Sequence, residues 1–166
     1  MKKIKMLSLD TASRDSGWAY WENAVLKEHG VVHVDKKITD INIKLDTMCK
    51  GLIDLLNSKQ PDIVVIEMTV VPNNTNTQRL LSEIVGVVRG WCMSQKKEVD
   101  FIRLRPSEWR KLVRSDTEKI PKSKDAGLKP WDIAKAKELY HFDPIDDNEA
   151  DGVLLGHAYK QLFKIE

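Results

Sequence analysis

The chain has 166 residues, 42% apolar and 31% charged, with 27 Lys and Arg against 25 Asp and Glu for a net charge of +2. That is an ordinary globular composition, and the length suits a single domain, residues 1–166, with a sizeable core. With no 18-residue apolar run, low-complexity tract or repeat in the sequence, a soluble protein is expected, with neither a membrane-spanning helix nor a solenoid.

Chain order begins with "MKKIKMLSLD", whose apolar part is too short for a signal-peptide core and reads as a strand, so the expected location is the cytoplasm. Its apolar residues Ile4, Met6, Leu7 and Leu9 close on an acid, Asp10, and a Ser- and Gly-containing turn then leads to a second run with Trp18, Tyr20 and Trp21. The pair predicts a β-hairpin. "VLKEHGVVHV" predicts a third antiparallel strand, with Gly30 as a bulge or kink. Ile41, Leu45, Met48, Leu52 and Leu55 then recur at helical spacing until Pro61, and Cys49 within this helix, like Cys92 later, lacks metal-ligand spacing and reads as a buried thiol. "PDIVVIEM" is a continuous apolar run, the pattern of a strand buried on both faces, and it ends on a second acid, Glu67.

A helix is predicted from about Thr77, with Leu80, Leu81, Ile84, Val85, Val88 and Trp91 on its apolar side together with Gly86 and Gly90. Two glycines there cost about 1 kcal/mol each unless another backbone comes close, so tight packing is expected, including against a second subunit. "VDFIRL" is a fifth strand, "RPSEWRKLV" a short helix, residues 115–128 a polar loop, and "KPWDIAKAKELYHF" and "DNEADGVLLGHAYKQLF" two further helices. The order βββαβαβ followed by helices predicts an α/β fold: a mixed five-stranded sheet, three strands antiparallel and two further strands parallel, flanked by helices.

The acids are the informative residues. Asp10 and Glu67 end strands expected to lie side by side, and "DDNEADG" opens the last helix with Asp146, Asp147, Glu149 and Asp151. Val153, Leu154, Ala158 and Leu162 form the face expected to pack that helix beside the strands. Helix dipoles alone favour acids in first turns, so for Asp146 and Glu149 a purely structural role stands level with a functional one, whereas Asp151 lies a turn further in, between Ala150 and Gly152. Converging carboxylates repel unless a cation neutralises them, and hard oxygen ligands select Mg²⁺ or Mn²⁺. Two such ions about 4 Å apart suit in-line displacement at a phosphodiester.

"LSLDTASRDSGWAYW", "IVVIEM", "EIVGVVRGW", "RPSEWRKLV" and "NEADGVLLGHA" resemble the successive motifs of the RuvC-like Holliday-junction resolvases of the small kind carried by bacteriophages, within the RNase H-like fold. The resemblance covers nearly the whole chain. It implies that Asp10, Glu67 and Asp151 are metal ligands, that the Gly86–Gly90 helix helps form a homodimer, and that branched DNA is nicked to leave 5′-phosphate and 3′-OH ends. A phage-encoded chain of this kind would act in the host bacterial cytoplasm. The chain departs from the family pattern at Ala12, usually Gly, at Asn148, usually Asp or His, and at Val70, where some members carry a stacking aromatic. The fourth ligand is therefore Asp147 or Asn148. Asp147 is favoured because it is charged and lies one turn before Asp151, with Asn148 contributing its carbonyl oxygen or nothing.

From Arg103 to Lys137 eleven bases face five acids, a local charge of +6, and the segment from Glu138 to Glu166 carries −5. Arg103, Arg105, Arg110, Lys111 and Arg114, then Lys119, Lys122, Lys124 and Lys129, are the expected phosphate contacts, and one of Lys129, Lys135 and Lys137 is expected to stabilise charge on the attacked phosphate. Trp109 and Trp131 read as core residues rather than base-stacking ones, and His157 as a packed histidine. Holliday-junction resolution competes with less selective cleavage of forks and flaps and with a catalytically silent DNA-binding protein. "DTASRDSG" also resembles the first phosphate loop of actin-like sugar kinases, but a second phosphate loop and a second domain do not fit in this length. A silent binder leaves unexplained an acid ending an otherwise apolar strand, which is costly without a partner.

Overall fold

The computed structural model describes residues 3–68, 74–122 and 127–163. One mixed sheet has the order β3-β2-β1-β4-β5, built from β1 (Lys5–Asp10), β2 (Asp15–Glu22), β3 (Val25–His33), β4 (Ile63–Glu67) and β5 (Asp100–Leu104). β1 pairs antiparallel with β2 and parallel with β4, and β4 pairs parallel with β5, giving the mixed sheet expected from the sequence. Two helices, α1 (Ile41–Lys59) and α2 (Thr75–Ser94), cover one face, and α3 (Pro106–Val113), α4 (Leu128–Tyr140) and α5 (Asp147–Phe163) cover the other.

Side-chain alternation along the central strands feeds both layers. Leu7, Leu9, Val64 and Ile66 enter the core under α1 and α2, with Met48, Leu52, Leu56, Ile84 and Val88. Met6, Ile63 and Val65 point the other way, to Trp109, Val153, Leu154 and Ala158. α1 starts at Asp40, whose carboxylate accepts from the Asn42 and Ile43 N–H groups, and it stops at Gln60 in the left-handed region, just before Pro61. Asn74 caps α2 by accepting from Thr77 N, which sets the helix start two residues earlier than the pattern suggested.

Four local expectations change. The sheet irregularity lies at Tyr20/Trp21 rather than at Gly30, where a Cβ would meet the Trp18 ring at 3.1 Å. A Cβ added at Gly86 or Gly90 would meet nothing within 4 Å among the described residues, so these glycines face outward rather than packing within the chain. Leu80 and Val85 of the predicted apolar stripe are only half-buried, while Cys92 completes the buried set. Leu162 is 48% exposed, so the docked face of α5 ends near Tyr159. His157 is packed, as expected: its Nδ1 and the Tyr140 hydroxyl share a 2.6 Å hydrogen bond, and burial pushes its pKa down to about 4. Among the described residues no helix is long and apolar enough to cross a membrane.

Candidate active site

The parallel register that pairs Leu9 with Ile66 brings the carboxyl ends of β1 and β4 together, one residue before each acid. Alternation then fixes direction: Asp10 follows Met6 and Ser8, and Glu67 follows Ile63 and Val65, so both acids point toward the α5 layer.

α5 reaches the strands because the contact is made of small residues. A Cβ on Gly17 would lie 1.6 Å from Asn148 O, one on Gly152 2.7 Å from Trp18 N, and one on Gly156 2.4 Å from the Trp21 indole. Ser8 Oγ donates to Gly152 O at 2.7 Å and accepts from Trp21 Nε1 at 3.2 Å, tying the helix to β1 and β2. At the helix start Asp146 caps, accepting from Glu149 N at 2.9 Å, and Glu149 accepts from Ile145 N and bonds His29 at 2.7 Å. Both are structural acids. Asp151, one turn on, is buried against the strand acids.

Electrostatics shows how close the acids are. Burial holds Asp10 well above the usual carboxylate range, although the residue keeps some exposed surface, and the charges of Glu67, Asp147 and Asp132 push it further the same way while Arg110 opposes them. Burial also holds Asp151 well above that range, with Asp10 and Asp132 adding to the shift.

Two consecutive residues of α3 reach into the cluster. Trp109 is fully buried and its Nε1 donates to Glu67 Oε2 at 2.6 Å. Arg110 donates to both oxygens of Asp132, at 3.1 and 3.0 Å, and to Asp151 Oδ2 at 3.2 Å, with its guanidinium 4.2 Å from the Trp109 ring centre. Asp132, on α4, is 1% exposed.

No family model and no curated protein matches the sequence. Solved structures do match. Thermus thermophilus RuvC in complex with a Holliday junction substrate superposes with a TM-score of 0.71 over 97% of this chain and 95% of that one, at 10% identity. The chain has a RuvC-like fold. Fowlpox virus resolvase, in complex with Holliday junction DNA, matches at TM-score 0.57 and 16% identity over 98% of this chain and all of its own. The yeast mitochondrial Holliday junction resolvase Ydc2 matches at 0.57 and 13% over 94% and 78%.

On this RuvC-like frame the structure brings together Asp10, Glu67 and Asp151, with Asp147 close enough for its charge to act on Asp10. Asp147 itself pairs with Lys129 at 2.5 Å. Asn148 sits with its carbonyl against Gly17 and its side-chain amide donating to Asp146 at 3.2 Å. Arg103, Arg105, Lys111, Arg114, Lys119 and Lys122 are exposed, whereas Arg110 lies inside the acid cluster; Lys124 and Val70 fall outside the described residues. Of the three lysines near the acids, Lys135 is buried between Glu118 and Glu138 and Lys137 pairs with Asp143, which leaves Lys129 beside the site. Asp132 was not anticipated, because an acid among the lysines of "KPWDIAKAKELY" looks like a solvated helix residue.

Among the described residues no three acids or histidines form a ready-made metal cage. The donor set nevertheless suits a hard cation. Asp151 Oδ1, within this cluster, is buried without a hydrogen-bond partner. A carboxyl whose folded pKa is raised stabilises the fold at low pH and loses that contribution as pH rises through the folded value. Asp151→Asn should therefore raise the metal-free melting temperature at about pH 8, with the advantage over wild type shrinking toward about pH 4. Melting curves at the two pH values check this, and an unchanged difference would show Asp151 to be an ordinary solvated acid.

Proposed function

We propose that this chain is a metal-dependent endonuclease for branched DNA, with Holliday junctions as its principal substrate. The observation that carries the reading is the meeting of Asp10 and Glu67, from adjacent parallel strands, with Asp151 of α5, in a RuvC-like fold whose solved neighbours include junction complexes. Asp10, Glu67, Asp151 and Asp147 would hold Mg²⁺ or Mn²⁺, with Asn148 offering at most its carbonyl oxygen. A pair of such ions would activate the attacking water and stabilise charge on the leaving 3′ oxygen. The chain's own residues do the rest: Trp109 fixes the rotamer of Glu67, α5 seats Asp151 by backbone contact, and Lys129 supplies a positive charge beside Asp147 for the attacked phosphate.

DNA arms would run over Arg103, Arg105, Lys111, Arg114, Lys119 and Lys122, all exposed, with Lys124 continuing the same basic stretch in sequence. Neutralising phosphates releases counterions, so binding should weaken by roughly 10³-fold or more between about 50 and 200 mM salt if some six contacts form. A flat response in a fluorescence-anisotropy titration would reject this surface.

A homodimer is part of the proposal, since two cuts in a four-way junction call for two sites related by a two-fold axis. Outward-facing Gly86 and Gly90 and the 78% exposed Met93 on α2 are the surface that supports it.

The deciding experiment incubates the protein and Mg²⁺ or Mn²⁺ with labelled junction, fork, flap and linear duplex. Symmetrical nicking of the junction is expected. Equal cutting of forks and flaps would make the enzyme a general branched-DNA nuclease, and binding without cleavage would make it a silent binder.

A further inference from the structure

We propose that Arg110 and Asp132 are positioning residues that set which oxygen of Asp151 faces the metal. The inference rests on the metal-dependent reading above and adds a function for two residues which that reading leaves without one. Asp132 is all but fully buried, and an acid so placed is costly without a partner. Its main partner is the guanidinium of Arg110, which it holds by both oxygens, and it also lies within hydrogen-bond reach of the Asp151 carboxyl. That two-point grip, with Trp109 stacked beneath, leaves the guanidinium one fixed orientation, from which it donates to Asp151 Oδ2 alone. Asp151 Oδ1 stays buried and unpartnered. One oxygen is thereby spoken for and the other presented, while the neighbouring residue, Trp109, holds Glu67 in the same way. Helix α3 thus orients ligands from two different elements.

Asp132 also restrains Arg110. Without that anchor the guanidinium is free to grip Asp151 by both oxygens and compete with the metal. In Asp132→Asn, Mn²⁺ binding measured by calorimetry without DNA should weaken by about tenfold, the range seen when partners behind metal ligands are removed. Cleavage by this variant should recover toward the wild-type rate at high Mn²⁺. Arg110→Lys keeps the charge but not the planar fork, and should lower cleavage at saturating Mn²⁺ by about tenfold or more. Its affinity for junction DNA in metal-free buffer should stay within about twofold of wild type, with an unchanged salt slope, because Arg110 is not a phosphate contact.

A lower melting temperature with wild-type Mn²⁺ affinity in Asp132→Asn would reduce the pair to a structural ion pair and overturn the proposal. So would a loss of DNA affinity in Arg110→Lys with a salt slope reduced by about one, which would return Arg110 to the DNA surface. Wild-type protein that binds no Mn²⁺ would overturn the metal reading and this proposal together, whereas wild-type binding matched by Asp132→Asn overturns this proposal alone.

Discussion

Asp10→Asn and Glu67→Gln are each expected to abolish cleavage while leaving affinity for junction DNA in metal-free buffer within about twofold of wild type, since neither acid belongs to the exposed basic surface proposed for phosphate contact. Both substitutions are close to isosteric, so the strands keep their packing, and the loss falls on the charge that would draw the proposed cation. Metal ions supply several kcal/mol of charge stabilisation at a phosphoryl oxygen, which corresponds to roughly a thousandfold or more in rate. The two variants differ in a second respect. Glu67→Gln keeps an oxygen that can accept from Trp109 Nε1, now 2.6 Å from the carboxylate, so its side chain remains placed and only its charge is lost. Cleavage assays paired with anisotropy check both, and wild-type rates from either variant would remove the strand acids from the chemistry.

Gly17→Ala is expected to have the largest effect on stability of any Cβ added at a glycine of this chain. The new Cβ would fall 1.6 Å from Asn148 O and 2.2 Å from its carbonyl carbon, both backbone atoms with no rotamer to yield. Overpacking usually costs 1–3 kcal/mol, and an overlap with main chain belongs at the top of that range, about 3 kcal/mol. For a chain of this size that corresponds to a melting temperature lower by roughly 6–12 °C. If the fold survives, the amino end of α5 must lift away from β2, carrying Asp147 and Asp151 with it, so cleavage should fall even well below the melting temperature. A melting temperature within about 2 °C of wild type would mean that α5 accommodates the methyl by sliding.

The strand acids were legible because two simple signals coincide. A period of two fixes the side on which Asp10 and Glu67 emerge, and an apolar run as continuous as "IVVI" marks a strand with neighbours on both edges and helices on both faces. The sheet follows from the same patterns. α5 was legible through its apolar residues Val153, Leu154 and Ala158 and the small Ala150 and Gly152, although that face was drawn one turn too long at Leu162 and the close contact at Gly156 was missed. Arg110 and Asp132 were not legible. Each is of a residue type that normally faces water, each lies in a basic segment, and what makes them special is their meeting across 22 positions, which no local period encodes. Trp109 was read as core, and is core, but the acceptor for its N–H belongs to β4, 42 residues earlier. Gly86 and Gly90 do not pack against another backbone among the described residues of this chain, so of the two contacts the sequence suggested only the one with a second subunit stays open.

Ser8 and Gly152 hydrogen-bond across 144 residues of sequence. During synthesis, then, the strands can form their pairs long before the helix that joins the acids has left the ribosome, and Asp10 and Glu67 spend that interval without Asp151. The mutual repulsion of the cluster is met when α5 docks, the step that also completes the core on that face of the sheet. Contacts so distant in sequence form slowly, and here their closure coincides with the gathering of charge. Divalent cations should therefore speed the final phase of refolding while leaving the earlier phases untouched.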